Sequence, residues 1–499
     1  MNDNNRASET EFSEKLADNT AALKQIMARS HDFVLREFTS PAISGGAAVA
    51  FIDGLVKQEM ITQNAVMPLV LCAEGSRPAA SLDEIRGAYL VSSDAAIETD
   101  FGAALNRMLH GDVMLLADGF AGAIIMNARG WDKRSVSEPQ TETVVRGPRE
   151  GFTETLRTNT SLLRRRIAAP EFKIELTQVG RRSKTNVAVA YVDGVVAQGI
   201  VDEVMARLSA IDVDIVNGNG TIEDFLKDQP YSVFETINYS EKPDVIAAQI
   251  MEGRVAIITD GTPFVLTVPM LFMENFATPE DYLVGTAYAT FLRLIRFLSF
   301  ALTLLAPSLF VAVITFHQEL LPVQLLFTVA ASAEGLPFPA VVEMAVMLLI
   351  FEILKEAGIR LPKPIGQAVS IVGALVMGQA AIAAGIVGAP VVIIVALTGV
   401  CGFSVPNLSN ACTLLRWVLF FLGGFFGLYG MVIGVICLLV YVASLRSFGV
   451  MFASPIAPFV GKDMRDMLFL APSWKLNERP VSIGSPDRKR VGLRKLWYR

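Results

Sequence analysis

The residues in this chain that could do chemistry are carboxylates in an apolar setting. Glu343 and Glu352 lie in PAVVEMAVMLLIFEILKEAG, residues 339–358. An ionised group at membrane depth is costly unless it meets water, an ion or a partner, so a cation path is the first reading of both. On a helix, nine residues carry Glu352 about 13.5 Å from Glu343 and half a turn round, while Glu356 returns to the Glu352 face. The bland alternative is local pairing. Glu352 with Lys355 and Glu356 with Arg360 have i,i+3 and i,i+4 spacing near the end of the apolar run. Glu343 has no such basic neighbour, which favours a pore or an intersubunit contact. Gln379 is the other deep polar group and could equally bond a neighbouring helix.

No catalytic constellation accompanies them. The chain has no GxSxG, Walker A or HExxH sequence, and Gly218–Asn219–Gly220 lacks the Lys-Ser/Thr of a phosphate loop. Three histidines are scattered, and Cys72, Cys401, Cys412 and Cys437 form no CxxC pair. A structural zinc or a disulfide framework is therefore not expected. Catalytic, cofactor-binding and metal-binding residues are all expected to be none, and the chain is not read as an enzyme.

The elements that must position these carboxylates fill residues 291–445. Residues 297–316 are twenty in a row without a charge, enough at about 1.5 Å per residue to cross a hydrocarbon core of about 30 Å. Arg293 and Arg296 precede this run, no Lys or Arg occurs from 297 to 354, and Lys355, Arg360 and Lys363 follow. The positive-inside rule then puts the N-terminal half in the cytoplasm, residues 317–339 outside and residues 355–365 inside again. Further apolar segments at 366–385, 390–404 and 417–445 make five. The basic residues after Lys462 also ask for the inside, and an odd number of crossings contradicts that. Either one segment is re-entrant or the last breaks near its glycines. Small residues mark close helix packing at Gly366 and Gly373, and on another face at Gly423, Gly427, Gly430 and Gly434.

The first 285 residues read as soluble α/β protein containing an internal repeat. AVAFIDGLV (Ala48–Val56) returns 140 residues later as AVAYVDGVV (Ala188–Val196), and GDVMLLADG (Gly111–Gly119) returns 142 later as GRVAIITDG (Gly253–Gly261). In each copy an apolar strand ends in Asp-Gly, and Asp118-Gly119 and Asp260-Gly261 join hairpins. The expected fold is thus an α/β soluble N-terminal half of two tandem similar subdomains, followed by an α-helical polytopic membrane domain. The boundaries drawn are an N-terminal helical segment 1–39, subdomain one 40–140, a basic linker with a helix 141–180, and subdomain two 181–285. The membrane domain takes 286–450, with four to six helical segments, and a basic tail takes 451–499. No secretory signal opens the sequence, which agrees with a cytoplasmic N-terminal half. In the linker, Arg146, Arg149, Arg157, Arg164, Arg165 and Arg166 make either a docking surface for carboxylates or lipid phosphates, or a solvated helix face. No aromatic platform accompanies them, so nucleic acid is not an expected partner.

The linker block SEPQTETVVRGPREGFTETLRTN (137–159), TFHQELLP (315–322), GLPFPAVVE (335–343) and EAGIRLPKPIGQAVSIVGALVMGQAAIAAGIVG (356–388) closely resemble the A subunit of the spore germinant receptors of endospore-forming bacteria. The resemblance runs from about residue 30 to 480. It implies a nutrient-receptor component in the spore inner membrane, working with a transporter-like B subunit and a lipoprotein C subunit. It also implies a homo-oligomer whose A subunits line a nutrient-gated ion channel, and it points to the B subunit as the nutrient sensor. YSVFET (231–236), EKPD (241–244) and Met451-Phe452 depart from the usual family wording, and a close relative encoded with the dipicolinate-release machinery shares the architecture. Two other classes remain: a membrane-anchored scaffold, and a secondary transporter. The transporter would place its repeat in the membrane half.

Overall fold

The structure is a computed structural model that describes residues 10–72, 77–92, 94–130, 139, 142, 146–360, 376–467 and 469–490. Its N-terminal half holds two five-stranded antiparallel sheets with one topology. The first, in spatial order β1-β2-β4-β5-β3, uses β1 (Phe33–Ser40), β2 (Ile43–Ile52), β3 (Ala95–Glu98), β4 (Asp112–Ala117) and β5 (Ala123–Asn127). The second, β6-β7-β9-β10-β8, uses β6 (Phe172–Val179), β7 (Thr185–Val192), β8 (Asn238–Ser240), β9 (Val255–Thr259) and β10 (Val265–Val268). The repeated sequence blocks are the two central strand pairs. β2 meets β4 with Ala47 opposite Ala117, and β7 meets β9 with Val187 opposite Thr259.

Each sheet is covered on both faces, which is why its central strands read as unbroken apolar runs. In the second unit Val187, Val189 and Tyr191 pack on one side beneath α4 (Gln198–Ala210) and α5 (Asn219–Leu226). Ala188, Ala190 and Val192 pack on the other against α3 (Leu156–Arg166) and α6 (Pro243–Met251). The first unit repeats the arrangement, with α1 (Leu16–Ile26) and α2 (Phe101–Leu109) over Ala48, Ala50 and Ile52.

The repeat begins further upstream than its strands suggest. Leu16 donates its amide to Asp118 Oδ1 at 2.8 Å, and Leu156 donates to Asp260 Oδ1 at 3.0 Å. Gly119 donates to the Glu14 carbonyl and Gly261 to that of Glu154, each at 2.8 Å. Asn19 and Asn159 each bond both backbone groups of the residue six before, Ser13 and Thr153. Helix α3, in the stretch assigned to the linker, is thus the counterpart of α1 and opens the second unit. The positive φ of +87° at both Gly119 and Gly261 lets these hairpins turn tightly enough for their aspartates to reach back to a helix start.

The C-terminal half is helical. It contains α7 (Thr286–Phe316), α8 (Val323–Ala333), α9 (Ala340–Arg360), α10 (376–383), α11 (Ala389–Phe403) and α12 (Ser409–Ser444). Among the described residues α7 and the stretch Pro406–Ser444 are long and apolar enough to cross a membrane. α12 is two helices, because Gly427 has φ 61° and ψ −151°, outside any helical region. A Cβ on Gly434 would stand 2.7 Å from Leu419 Cδ2 and 2.8 Å from Leu422 Cδ1. In a straight helix residues 419 and 434 would be about 22 Å apart, so the chain reverses at Gly427 and its halves lie antiparallel. The expected break of the last apolar segment near its glycines is present, at Gly427. Gly423, Gly427, Gly430 and Gly434 therefore do not share one straight helical face. Gly423 abuts Ser308 of α7, Gly427 the end of α7 at Phe316, and Gly430 and Gly434 the facing limb of their own hairpin. Gly366 and Gly373 lie outside the described residues.

The reversal returns the chain to the α/β units. Tyr441 meets Ser232 and Val233, and Ser447 Oγ donates to the Thr236 carbonyl at 2.6 Å. The following residues wrap the second unit: Arg479 Nε donates to the Met251 carbonyl at 2.7 Å, and Ser485 Oγ to that of Val195 at 2.6 Å. Gly427→Ala forces a side chain into a conformation that favours glycine. It should cost about 1–3 kcal/mol, seen as a lower melting temperature of the detergent-solubilised protein. Gly424→Ala, on regular helix with its Cβ 3.3 Å from Val341 Cγ1, should cost less. Equal losses would remove the turn at Gly427 as the cause.

Candidate functional site

The polar groups of the helical half fall into two sets along α9. Glu343, in its first turn, is 4% exposed, and its Oε2 accepts the Gly388 amide at 2.9 Å. Gly388 is the N-cap of α11, so the carboxylate sits at the positive end of a helix dipole. Among the described residues it has no ion-pair partner. The second set is three turns further on. Glu352 pairs with Arg416 of α12, whose side chain is 3% exposed, and lies 3.9 Å from Lys355 Nζ. Lys355 also donates to Ser409 Oγ at 2.7 Å and Thr413 Oγ1 at 3.4 Å, tying α9 to the start of α12. Glu356 pairs with Arg360 at 2.6 Å on an exposed face. Gln379 is exposed on α10. The structure does not bring Glu343, Glu352 and Gln379 into one constellation.

A second charged centre lies where α7 leaves the α/β units. Asp281, wholly buried, accepts Arg293 Nε at 3.0 Å and is gripped by Arg296 through Nη1 and Nη2, both at 2.9 Å. Burial works against the charge, yet Arg296, the Thr278 amide and Arg293 hold this carboxyl below its ordinary value. Arg293 also donates to the carbonyls of Asp466 and Met467 at 2.8 and 2.7 Å, so the base of α7 is clamped to the tail. Nearby, Glu274 receives both terminal nitrogens of Arg254, at 2.7 and 3.0 Å. Burial pushes its carboxyl up to about 7 against the pull of Arg254, and Glu252 adds to the rise.

The basic strip of the sequence is spent largely within the chain. Arg164 is fully buried and grips Asp32 through Nε and Nη2 at 2.7 and 2.8 Å. Arg157 of the second unit pairs with Asp53 of the first at 2.6 Å, and Arg29 of the first with Asp193 of the second at 2.9 Å. Asp53 and Asp193 end equivalent strands, so the contact between the units is reciprocal. Arg165 and Arg166 both reach Glu150. Arg146 and Arg149 are both exposed, on the loop that leads into Glu150. In the second unit the Gly218–Gly220 turn borders a cleft of about 600 Å³ with Glu223, Tyr239, Asp260 and Phe264. Burial, with Glu235 and Glu223 nearby, pushes the Tyr239 hydroxyl up to about 12. Such an acidic lining does not suit a phosphate.

A family model described as Bacillus/Clostridium GerA spore germination protein matches residues 21–482. The chain belongs to this GerA family. It is 41% identical over 484 residues to spore germination protein KA of Bacillus subtilis, covering 96% of this chain and 89% of that protein. It is 40% identical to the uncharacterized membrane protein YfkQ of Bacillus subtilis, over 94% of this chain and 91% of that one. With spore germination protein GerLA of Bacillus cereus it shares 35%, over 93% and 95%. Among solved structures, the N-terminal domain of the A subunit of the Bacillus megaterium spore germinant receptor GerK3 is 27% identical. It covers 53% of this chain and 98% of that one, with a TM-score of 0.39.

For this GerA chain, sequence reasoning missed Arg416, which ends a window free of basic residues and answers Glu352 from 64 positions away. It also read Arg293 and Arg296 only as topology signals. Both could have been sought as partners for Asp281, since i,i+12 and i,i+15 straddle the joint between a capped turn and a long helix.

Three outcomes are expected. Asp32→Asn leaves Arg164 buried without its counter-charge and should cost about 3–5 kcal/mol. Asp53→Asn breaks a half-exposed pair and should cost about 0.2–1 kcal/mol, both read from denaturation midpoints. For Glu274, the folded pKa lies above the reference value of 4.5, so the folded protein keeps a proton that the unfolded chain releases. Stability should fall as pH rises from about 4.5 to about 7 and then level off. Melting curves across that range should lose this component in Glu274→Gln; an unchanged slope would assign it to other groups.

Proposed function

We propose that this chain is the A subunit of a nutrient germinant receptor in the spore inner membrane, with its α/β units in the cytoplasm. It works there with B and C subunits and with further copies of itself, and the assembled helical halves form the path along which ions leave when a partner subunit binds germinant. Family membership over nearly the whole chain supports the receptor role. Relatives named as spore germination proteins match it end to end. The return of α12 and the tail to the α/β units supports a bundle whose polar parts share one side of the membrane.

The observation that carries the conducting role is Glu343, a carboxylate in an apolar bundle with no cation beside it among the described residues. It is buried within one copy, so it acts on the path through its field rather than by lining it. Gln379, exposed on α10, faces outward, where another copy could meet it. The basic strip contributes little to lipid or partner docking in this reading, because Arg157, Arg164, Arg165 and Arg166 are answered within the chain.

Glu343→Gln separates charge from structure, because the amide oxygen of glutamine still accepts the Gly388 N–H. In liposomes holding the assembled receptor, germinant should drive cation efflux. Glu343→Gln should lower that efflux or its selectivity while the subunits still co-purify. An assembled Glu343→Gln receptor that conducts and selects like the parent would leave Glu343 a helix cap and move the path elsewhere. Saturable nutrient binding by this chain alone would overturn the assignment of sensing to a partner.

A further inference from the structure

Among the described residues, the pocket at the C-terminal end of α9 contains more positive charge than negative. Lys355 and Arg416 supply two cations, and Glu352 supplies one carboxylate. These side chains, with Ser409 and Thr413, border a cavity of about 20 Å³ between α7, α9, α11 and α12. A water needs about 10–15 Å³ measured this way, so the space admits one small particle.

Donors of Lys355, Arg416 and Ser409 border the cavity beside the Glu352 carboxylate and the apolar Phe351, Phe403 and Cys412. Arg416 is almost wholly buried, and its Nε has no hydrogen-bond partner among the described residues. Ser409 accepts from Lys355, which leaves its own hydroxyl proton to donate. The other hydroxyls are turned away or committed: Thr303 donates to the Ser299 carbonyl and Thr398 to that of Ile394, both along their own helices. Ser409 also opens α12, whose first amides carry partial positive charge. The end of α11 at Phe403 opposes this with less than a full negative charge, so a net cation remains.

In a protein interior an uncompensated unit charge a few ångströms away acts far more strongly than it would in water. Water can solvate such an excess but does not neutralise it. We propose that this pocket binds one monoatomic anion of chloride size, held by Arg416 Nε, the Lys355 ammonium and the Ser409 hydroxyl. The anion closes a four-charge cluster that fixes α9 against the α12 hairpin. A lipid phosphate could meet the same charge only from outside the bundle, since the cavity is too small to admit one. The proposal stands whether or not the helices conduct.

The test uses the purified full-length chain in nanodiscs of uncharged lipid. Thermal unfolding is followed as sodium gluconate is replaced by sodium chloride or sodium bromide at constant ionic strength. Chloride and bromide should raise the melting temperature along a saturating curve, and bromide should give an anomalous-scattering peak beside Arg416 in crystals of the protein. Lys355→Gln removes the excess charge without unpairing Glu352 from Arg416. Its melting temperature in gluconate is the baseline from which its halide response is read, and the apparent halide affinity should weaken by about tenfold or more, as expected for loss of one charged hydrogen bond. Ser409→Ala should weaken it by a smaller factor. A melting temperature indifferent to halide, a halide effect that survives unchanged in Lys355→Gln, or stabilisation that needs anionic lipid and ignores halide would each overturn the proposal.

Discussion

The joint at Asp281 is the constraint on which the rest of this structure depends. A carboxylate with no exposure holds two arginines of α7, and one of those arginines also holds the backbone of the tail. Removing a buried charge from water is repaid only when geometry and further hydrogen bonds are good, and this joint supplies both. It fixes the angle at which the first long helix leaves the α/β units. It also places residues 466–467 against that helix, beside which Phe272 and Phe276 pack edge to face on Phe300 and Phe276 packs at a tilt on Phe297. The helical half is thereby attached to the second unit at its base.

The two units hold each other by reciprocity. Each offers the aspartate at the end of its second strand to an arginine of the other, and the buried Arg164–Asp32 pair lies between them. Duplication explains why both aspartates exist. It does not explain why both are paired across, because Arg29 follows α1 whereas Arg157 lies in the first turn of α3. The partners are unlike even though the acceptors are alike.

Much of the soluble fold was legible because its signals are local. Asp-Gly turns and apolar strands recur at a nearly constant offset, and alternate burial on two faces produces the unbroken strands. What escaped depended on residues far apart or on backbone geometry. The α1–α3 equivalence is written in FSEKLADNT and FTETLRTNT, whose Phe, Glu, Leu, Asn and Thr coincide at the same 140-residue offset, but neither stretch has the apolar strand or Asp-Gly turn that marks the other repeated blocks. The spacing of Gly423, Gly427, Gly430 and Gly434 fits one helical face, and only the φ of Gly427 turns that face into the inside of a hairpin. In the candidate site, the carboxylates of α9 were visible as anomalies in an apolar run. Their partners, an amide of Gly388 and the guanidinium of Arg416, come from segments 45 and 64 residues away.

The wrapping of residues 447–485 around the second unit bears on how the protein is made. Thr236, Val195 and Met251 receive hydrogen bonds from Ser447, Ser485 and Arg479, which leave the ribosome more than two hundred residues later. At about 5–20 residues per second, that interval is tens of seconds. Throughout it the second unit has its sheet but lacks its outer lining, and the intervening apolar helices must be inserted before the lining arrives. Completion of the soluble part is thus coupled to insertion, so a nascent chain stalled at α12 carries an unfinished second unit beside a finished first.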